Sequence, residues 1–86
     1  MDEYTITFAR SARKELEALP SSIVSKIFPK IEALAREPRP QGCRKLQGEA
    51  NLWRIRIGEY RVVYTIYDAD RLVDIIAVRH RREAYR

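Results

Sequence analysis

Three arginines carry the most chemistry in this chain: Arg54 and Arg56, two residues apart in Leu52-Trp53-Arg54-Ile55-Arg56-Ile57, and Arg61, just past Gly58-Glu59-Tyr60. An arginine side chain presents a planar fork of N–H donors that matches phosphate oxygens two at a time and stays charged at any working pH. If the three share one surface, phosphate is their natural ligand. A second group of basic residues closes the sequence, in Val78-Arg79-His80-Arg81-Arg82-Glu83-Ala84-Tyr85-Arg86. His80 is the only histidine of the chain, and the only side chain there with an ordinary pKa near neutrality.

The elements that must position these groups can be read from the pattern. Gly58-Glu59 makes a two-residue turn with glycine first, the type II′ arrangement that joins hairpin strands. Strands are expected over residues 52–57, 60–67 and 72–79, the last two joined by Asp68-Ala69-Asp70-Arg71. If Ile57 pairs with Tyr60, then Arg56 faces Arg61, Ile55 faces Val62 and Trp53 faces Tyr64. If Tyr67 pairs with Leu72, then Tyr64 faces Ile75 and Val62 faces Ala77. One sheet face then collects Trp53, Ile55, Ile57, Tyr60, Val62, Tyr64, Ile66, Val73, Ile75 and Ala77, all apolar or aromatic. A register slip of one residue would scatter them, so this face is expected to be the buried one. The other face carries Arg54, Arg56 and Arg61 with Val63, Thr65, Asp74, Ile76 and Val78. Extending the same register puts His80 on the Arg61 face.

Arg56 opposite Arg61 is unfavourable in an unliganded sheet, by up to about 1 kcal/mol. A bound anion would convert the repulsion into a binding site. Charged residues also protect open sheet faces from aggregation, and Asp74 or Glu59 can neutralise one arginine, so both readings stand on geometry alone.

Upstream, Tyr4, Ile6 and Phe8 alternate with threonines and predict a first strand. A helix is expected over residues 9–19, with Ala12, Leu16 and Leu19 on one side. Pro20-Ser21-Ser22 breaks it, and either serine can cap a second helix over residues 22–36. Ile23, Ile27, Ile31 and Leu34 form the apolar stripe of that helix. Pro29 lies inside it and is expected to kink it. Residues 41–51 read as a loop. The order is β-α-α-β-β-β, an α+β fold: a helical hairpin packed on one face of a four-stranded, mostly antiparallel sheet.

With 86 residues, 45% of them hydrophobic, the chain reads as one globular domain, residues 1–86. No apolar run approaches the roughly 18 residues of a membrane span, and the N-terminus lacks a secretory pattern. The single cysteine, Cys43, allows no internal disulfide, which fits a reducing cytoplasm. Net charge is +5. Residues 1–40 hold seven Lys/Arg against six Asp/Glu and residues 41–86 hold ten against six, so the excess lies in the second half. Such a basic half can bind a polyanion by displacing counterions, dock an acidic partner protein, or simply be a soluble surface. No nuclease-type metal cluster, Ser/His/Asp set or glycine-rich phosphate loop is visible, and no cofactor is expected.

Lys45-Leu46-Gln47-Gly48, Leu52-Trp53-Arg54-Ile55-Arg56-Ile57, Gly58-Glu59-Tyr60-Arg61-Val62-Val63-Tyr64 and the His80-Arg81…Tyr85 ending together resemble the RelE/ParE toxins over essentially the whole chain. The resemblance implies a toxin of a toxin–antitoxin pair, held silent by a cognate antitoxin. It is similar to the branch that enters the ribosome and cuts mRNA, because Arg54, Arg56, Arg61, Arg81 and Tyr85 match that branch's site positions. Lys45, Arg79 and Arg82 add further phosphate contacts in this reading. The gyrase-inhibiting branch generally lacks the full set, and it remains the alternative, together with a toxin fold without activity. One departure matters: the family often has lysines where Arg54 and Arg56 stand, and arginine cannot give up its proton. Neither residue can therefore be a general base.

The implied chemistry is attack of a ribose 2′-OH on the adjacent phosphorus, leaving a 2′,3′-cyclic phosphate and a 5′-OH. Arg61 and Arg81 would stabilise the charge that builds on the phosphoryl oxygens. Tyr85 would stack on a base, order the 2′-OH or plug the chain end. From its register and ordinary pKa alone, His80 would either take the proton or only position the tail or stack on a neighbour.

Overall fold

The computed structural model describes residues 3–46, 48 and 51–80. Its elements run β1 (Thr5–Phe8), α1 (Arg10–Glu17), α2 (Ser21–Ala33), β2 (Arg44–Lys45), β3 (Leu52–Ile57), β4 (Tyr60–Tyr67) and β5 (Leu72–His80). The sheet has five strands in the order β1-β5-β4-β3-β2, with β1 parallel to β5 and the other pairs antiparallel. Two helices on one face of a mixed sheet is the expected α+β architecture. The added strand is β2, two residues long, too short for any alternation to announce it.

Both helices are shorter than their periodicity suggests. α1 is built from Arg, Lys, Glu, Ala and Leu, strong helix formers, and stops before Pro20. Neither serine caps α2: Pro20 takes the cap position in an extended conformation, and Ser21 and Ser22 lie in the first turn. Proline suits this junction because it cannot continue α1 and has no N–H to leave unpaired. α2 runs through Pro29 to Ala33. Its stripe is confirmed, with Ile27, Ile31 and Leu34 buried and Ile23 at the margin.

The sheet side of the core is Ile55, Val62, Tyr64, Ile66, Val73, Ile75 and Val78, with Trp53, Ile57 and Tyr60 packed around it. The hairpin turns set this register. Gly58 has φ +60 and Glu59 does not share a positive φ, as a type II′ turn requires. The β3–β4 pairs Trp53–Tyr64, Ile55–Val62 and Arg56–Arg61 follow as expected. So do Tyr67–Leu72 and Tyr64–Ile75.

Beyond that point the expected register fails. A bulge lies between Val63 and Tyr64, and β5 contributes Ile76 as an extra residue, so Val63 pairs with Ala77, Val62 with Val78, Arg61 with Arg79 and Tyr60 with His80. A bulge flips every later side chain to the opposite face. Val78, expected on the open face, is in the core at 2% exposure, and Ala77, expected on the helix-facing side, pairs with Val63 on the other face while remaining buried.

The bulged stretch runs past the end of β1, where α1 takes over the strand's edge. The Ser11 hydroxyl donates to the Ile76 carbonyl at 3.2 Å. The Glu15 carboxylate accepts from the Val78 backbone N–H at 2.8 Å and from Arg79 Nε at 2.9 Å. Buried backbone groups are thereby satisfied where no neighbouring strand reaches them.

Candidate functional site

The arginines meet on the face away from the helices. Gly42, Arg44, Arg54, Arg56, Gly58, Glu59 and Arg61 line a cleft of about 850 Å³. β3 supplies Arg54 and Arg56, one pleat apart. β4 supplies Arg61 opposite Arg56, and β2 supplies Arg44 opposite Arg54. Arg61, in a middle strand, is 5% exposed, while Arg56 and Arg44 are open to solvent. A buried guanidinium acts through a lower effective dielectric than an exposed one and is fixed by its surroundings. Of the expected residues, the cleft therefore unites Arg54, Arg56 and Arg61.

Others fall elsewhere. Lys45 is exposed and pairs with Trp53, one position out of phase with Arg44, and is not among the described residues that line the cleft. Arg79 stands opposite Arg61 in the ladder but turns its Nε to Glu15. Arg81, Arg82 and Tyr85 lie outside the described residues.

His80 requires a correction. The bulge pairs it with Tyr60 rather than extending the Arg61 row, and its ring meets Tyr60 edge-on at 5.3 Å between centroids. The reading of His80 as general base rested on the unbulged register and loses that geometric support. If the chain cuts RNA as the resemblance implies, His80→Gln is accordingly expected to leave the rate within a few fold of wild type, with an unchanged pH profile. A loss of about 10²–10⁴ with a flattened profile near neutrality would restore the base role.

Sequence reading missed Arg44. Its signal was the turn before it: Cys43 N–H bonds the Pro40 carbonyl at 3.0 Å, and Gly42, at φ +93, occupies the third turn position, where a positive φ is required. That turn swings the chain back along β3, and Leu46 N–H then bonds the Leu52 carbonyl.

A polar clamp holds the preceding segment. Asp68, expected only as a turn former, accepts the Tyr4 hydroxyl at 2.7 Å and pairs with Arg39 at 2.8 and 3.3 Å. The Arg39 guanidinium lies 4.9 Å over the Trp53 ring. The Tyr64 hydroxyl donates to the Pro38 carbonyl at 2.7 Å, and burial pushes that phenol's pKa up. The Arg39 hydrogen bonds, followed by the Tyr4 hydroxyl, hold the Asp68 carboxyl down at about 2. Its folded value lies below the unfolded one. The clamp's contribution is therefore present above about pH 4 and is lost as pH falls toward 2. Asp68→Asn is expected to lower the neutral-pH Tm modestly and to flatten the acid limb of Tm against pH between those values. Superimposable acid limbs for variant and wild type would remove the clamp from the account.

Comparison with known proteins bears on the fold and the family. The family model for the ParE toxin of type II toxin–antitoxin systems matches residues 6–85. "Putative toxin RelE1" of Methanocaldococcus jannaschii is 30% identical over 87 residues, covering 98% of this chain and 97% of that protein. Toxin RelG of Mycobacterium tuberculosis is 34% identical over 84 residues, covering 96% and 97%. Among solved structures, the toxin–antitoxin complex RelBE2 of Mycobacterium tuberculosis superposes with TM-score 0.83 at 35% identity, over 94% of each chain. The archaeal RelE–RelB complex of Pyrococcus horikoshii gives 0.80 at 28%, over 94% and 97%. Residues 6–85 matched by the family model, full-length toxin relatives and a shared two-layer fold converge: the chain belongs to the RelE/ParE superfamily and is a toxin of a type II toxin–antitoxin system.

Proposed function

We propose that this toxin is an endoribonuclease that cuts mRNA on the ribosome. The observation that carries the reading is the Arg54/Arg56/Arg61 cleft, in which side chains that repel one another in cross-strand register are retained on an open face. In the proposed step the 2′-oxygen bonds to phosphorus and the bond from phosphorus to the 5′-oxygen breaks. The 2′-OH proton leaves to a base, and the 5′-oxygen takes up a proton. Negative charge grows on the non-bridging oxygens, where fixed arginines stabilise the transition state more than the ground state. Arg54 and Arg56 remain charged throughout, so the proton passes through other groups. Arg81 and Tyr85 complete the proposed site by sequence match.

A second reading, inhibition of DNA gyrase without catalysis, is favoured by the name of the matching family model. Inducing the protein and mapping transcript ends together with plasmid supercoiling separates the two. New 5′-hydroxyl ends with normal supercoiling support cleavage. Altered supercoiling with intact transcripts overturns it.

The proposed partner is a cognate antitoxin whose acidic or amphipathic segment covers the arginine patch or displaces the Tyr85 tail. Related toxins were solved bound to RelB antitoxins. The purified complex should protect Arg54 and Arg56 from guanidinium-directed modification or show the tail displaced; full reactivity of both arginines with the tail in place would exclude this mode of silencing.

A further inference from the structure

The cleft holds two arginine rows rather than one. Arg56 and Arg61 form the first across β3 and β4, and Arg44 and Arg54 form the second across β2 and β3. Resting on the phosphodiester reading of the first row, we propose that Arg44 and Arg54 form a second phosphate subsite. It would take the phosphodiester next to the one held by Arg56 and Arg61.

The geometry is that of a track. Within each row the partners are adjacent across a ladder, about 4.5–5.5 Å apart at Cα. Between rows lies one pleat period of β3, about 6.6–6.8 Å, a step that consecutive phosphates of an extended single strand can follow. Both rows pair like charges, and each such pair is unfavourable without a counterion. Among the described lining residues, Glu59 is the one carboxylate, and the turn places it at the Arg56/Arg61 end. The Arg44/Arg54 row has no carboxylate of its own among them. Two forks converging there suit a second bidentate anion. Alternation excludes Lys45 from the row, so β2 contributes Arg44 alone. The ligand class is therefore single-stranded RNA with at least two consecutive phosphodiesters, gripped by its backbone rather than its bases.

The test uses the purified chain and two non-cleavable probes, 2′-O-methyl uridine dinucleotide with one phosphodiester and the trinucleotide with two, neither carrying a terminal phosphate. Affinity is measured by titration over a range of salt. The trinucleotide is expected to bind more tightly, with a salt slope steeper by about 0.7. Arg44→Gln should erase that increment and weaken the dinucleotide far less than the trinucleotide. Its Tm should stay level or rise, because a like-charge pair is relieved. Arg44→Lys, which keeps charge but not the fork, should recover part of the increment. Equal slopes for the two probes would overturn the subsite. So would an Arg44→Gln variant that weakens both probes alike or neither. Failure of the cleavage reading is distinguishable: the Arg44-dependent increment persists while transcripts in induced cells remain intact.

Discussion

On the proposed activity, Arg61→Ala is expected to lower the single-turnover rate of mRNA cleavage on ribosomes by about 10²–10³ at every pH. Position sets the size. Arg61 is 5% exposed in the middle of the sheet, with Arg56 opposite it on β3 and Arg79 opposite it on β5. A guanidinium held there needs little reorganisation as phosphoryl charge develops. Arg56, open to solvent, is better screened and should cost less when truncated. Because arginine does not titrate in the accessible range, the loss should shift the whole pH–rate profile downward without changing its shape. Arg61→Lys should restore only part of the rate, since an ammonium cannot fork to two oxygens. Circular dichroism of each variant checks that the fold is intact. A folded Arg61→Ala protein that cuts at close to the wild-type rate would remove the cleft from the mechanism.

The second large effect is on folding. Val78→Asp is expected to lower the Tm sharply. Val78 is 2% exposed and lies in the core cluster with Ala12, Ile31 and Val62. An unpaired buried charge costs about 3–5 kcal/mol. A domain of this length has about 4–13 kcal/mol in total at 0.05–0.15 kcal/mol per residue, so one substitution consumes much of its stability. Ile76→Thr, at the half-buried bulge position, should cost only about 1 kcal/mol. Thermal melts of the two variants compare the bulged and unbulged registers directly. The unbulged ladder puts Val78 on the open face, so a stable Val78→Asp protein would argue for it.

That contrast also shows where sequence reasoning succeeds and stops. Gly58-Glu59 and the Tyr67–Leu72 pairing define a ladder whose buried face is nearly all apolar, so Trp53, Ile55, Val62, Tyr64 and Ile75 could be placed, and with them the facing arginines Arg56 and Arg61. The bulge was not legible because it falls in Ile75-Ile76-Ala77-Val78, four apolar residues in a row. Alternation marks a face only when polar residues punctuate it, and here a slip of one changes nothing in the pattern. His80 was misplaced by the same slip. β2 was invisible for a different reason: two residues cannot display a period of two. Asp68 was read as a turn former, correctly, but its partners Tyr4 and Arg39 lie 64 and 29 residues away, a coincidence that only the folded chain produces.

The clamp around Asp68 has a consequence for binding thermodynamics. Residues 34–43 connect α2 to β2, and a free connection of that length would leave Arg44 sampling many backbone states. Ordering each such residue costs roughly 1–2 kcal/mol of conformational entropy. Here Pro38 is tied to Tyr64, Arg39 to Asp68, and Cys43 to Pro40. That entropy is lost when the chain folds, not when a ligand arrives. An anion entering the cleft meets an Arg44 whose backbone is already immobilised, and only its side-chain torsions remain to be fixed on binding.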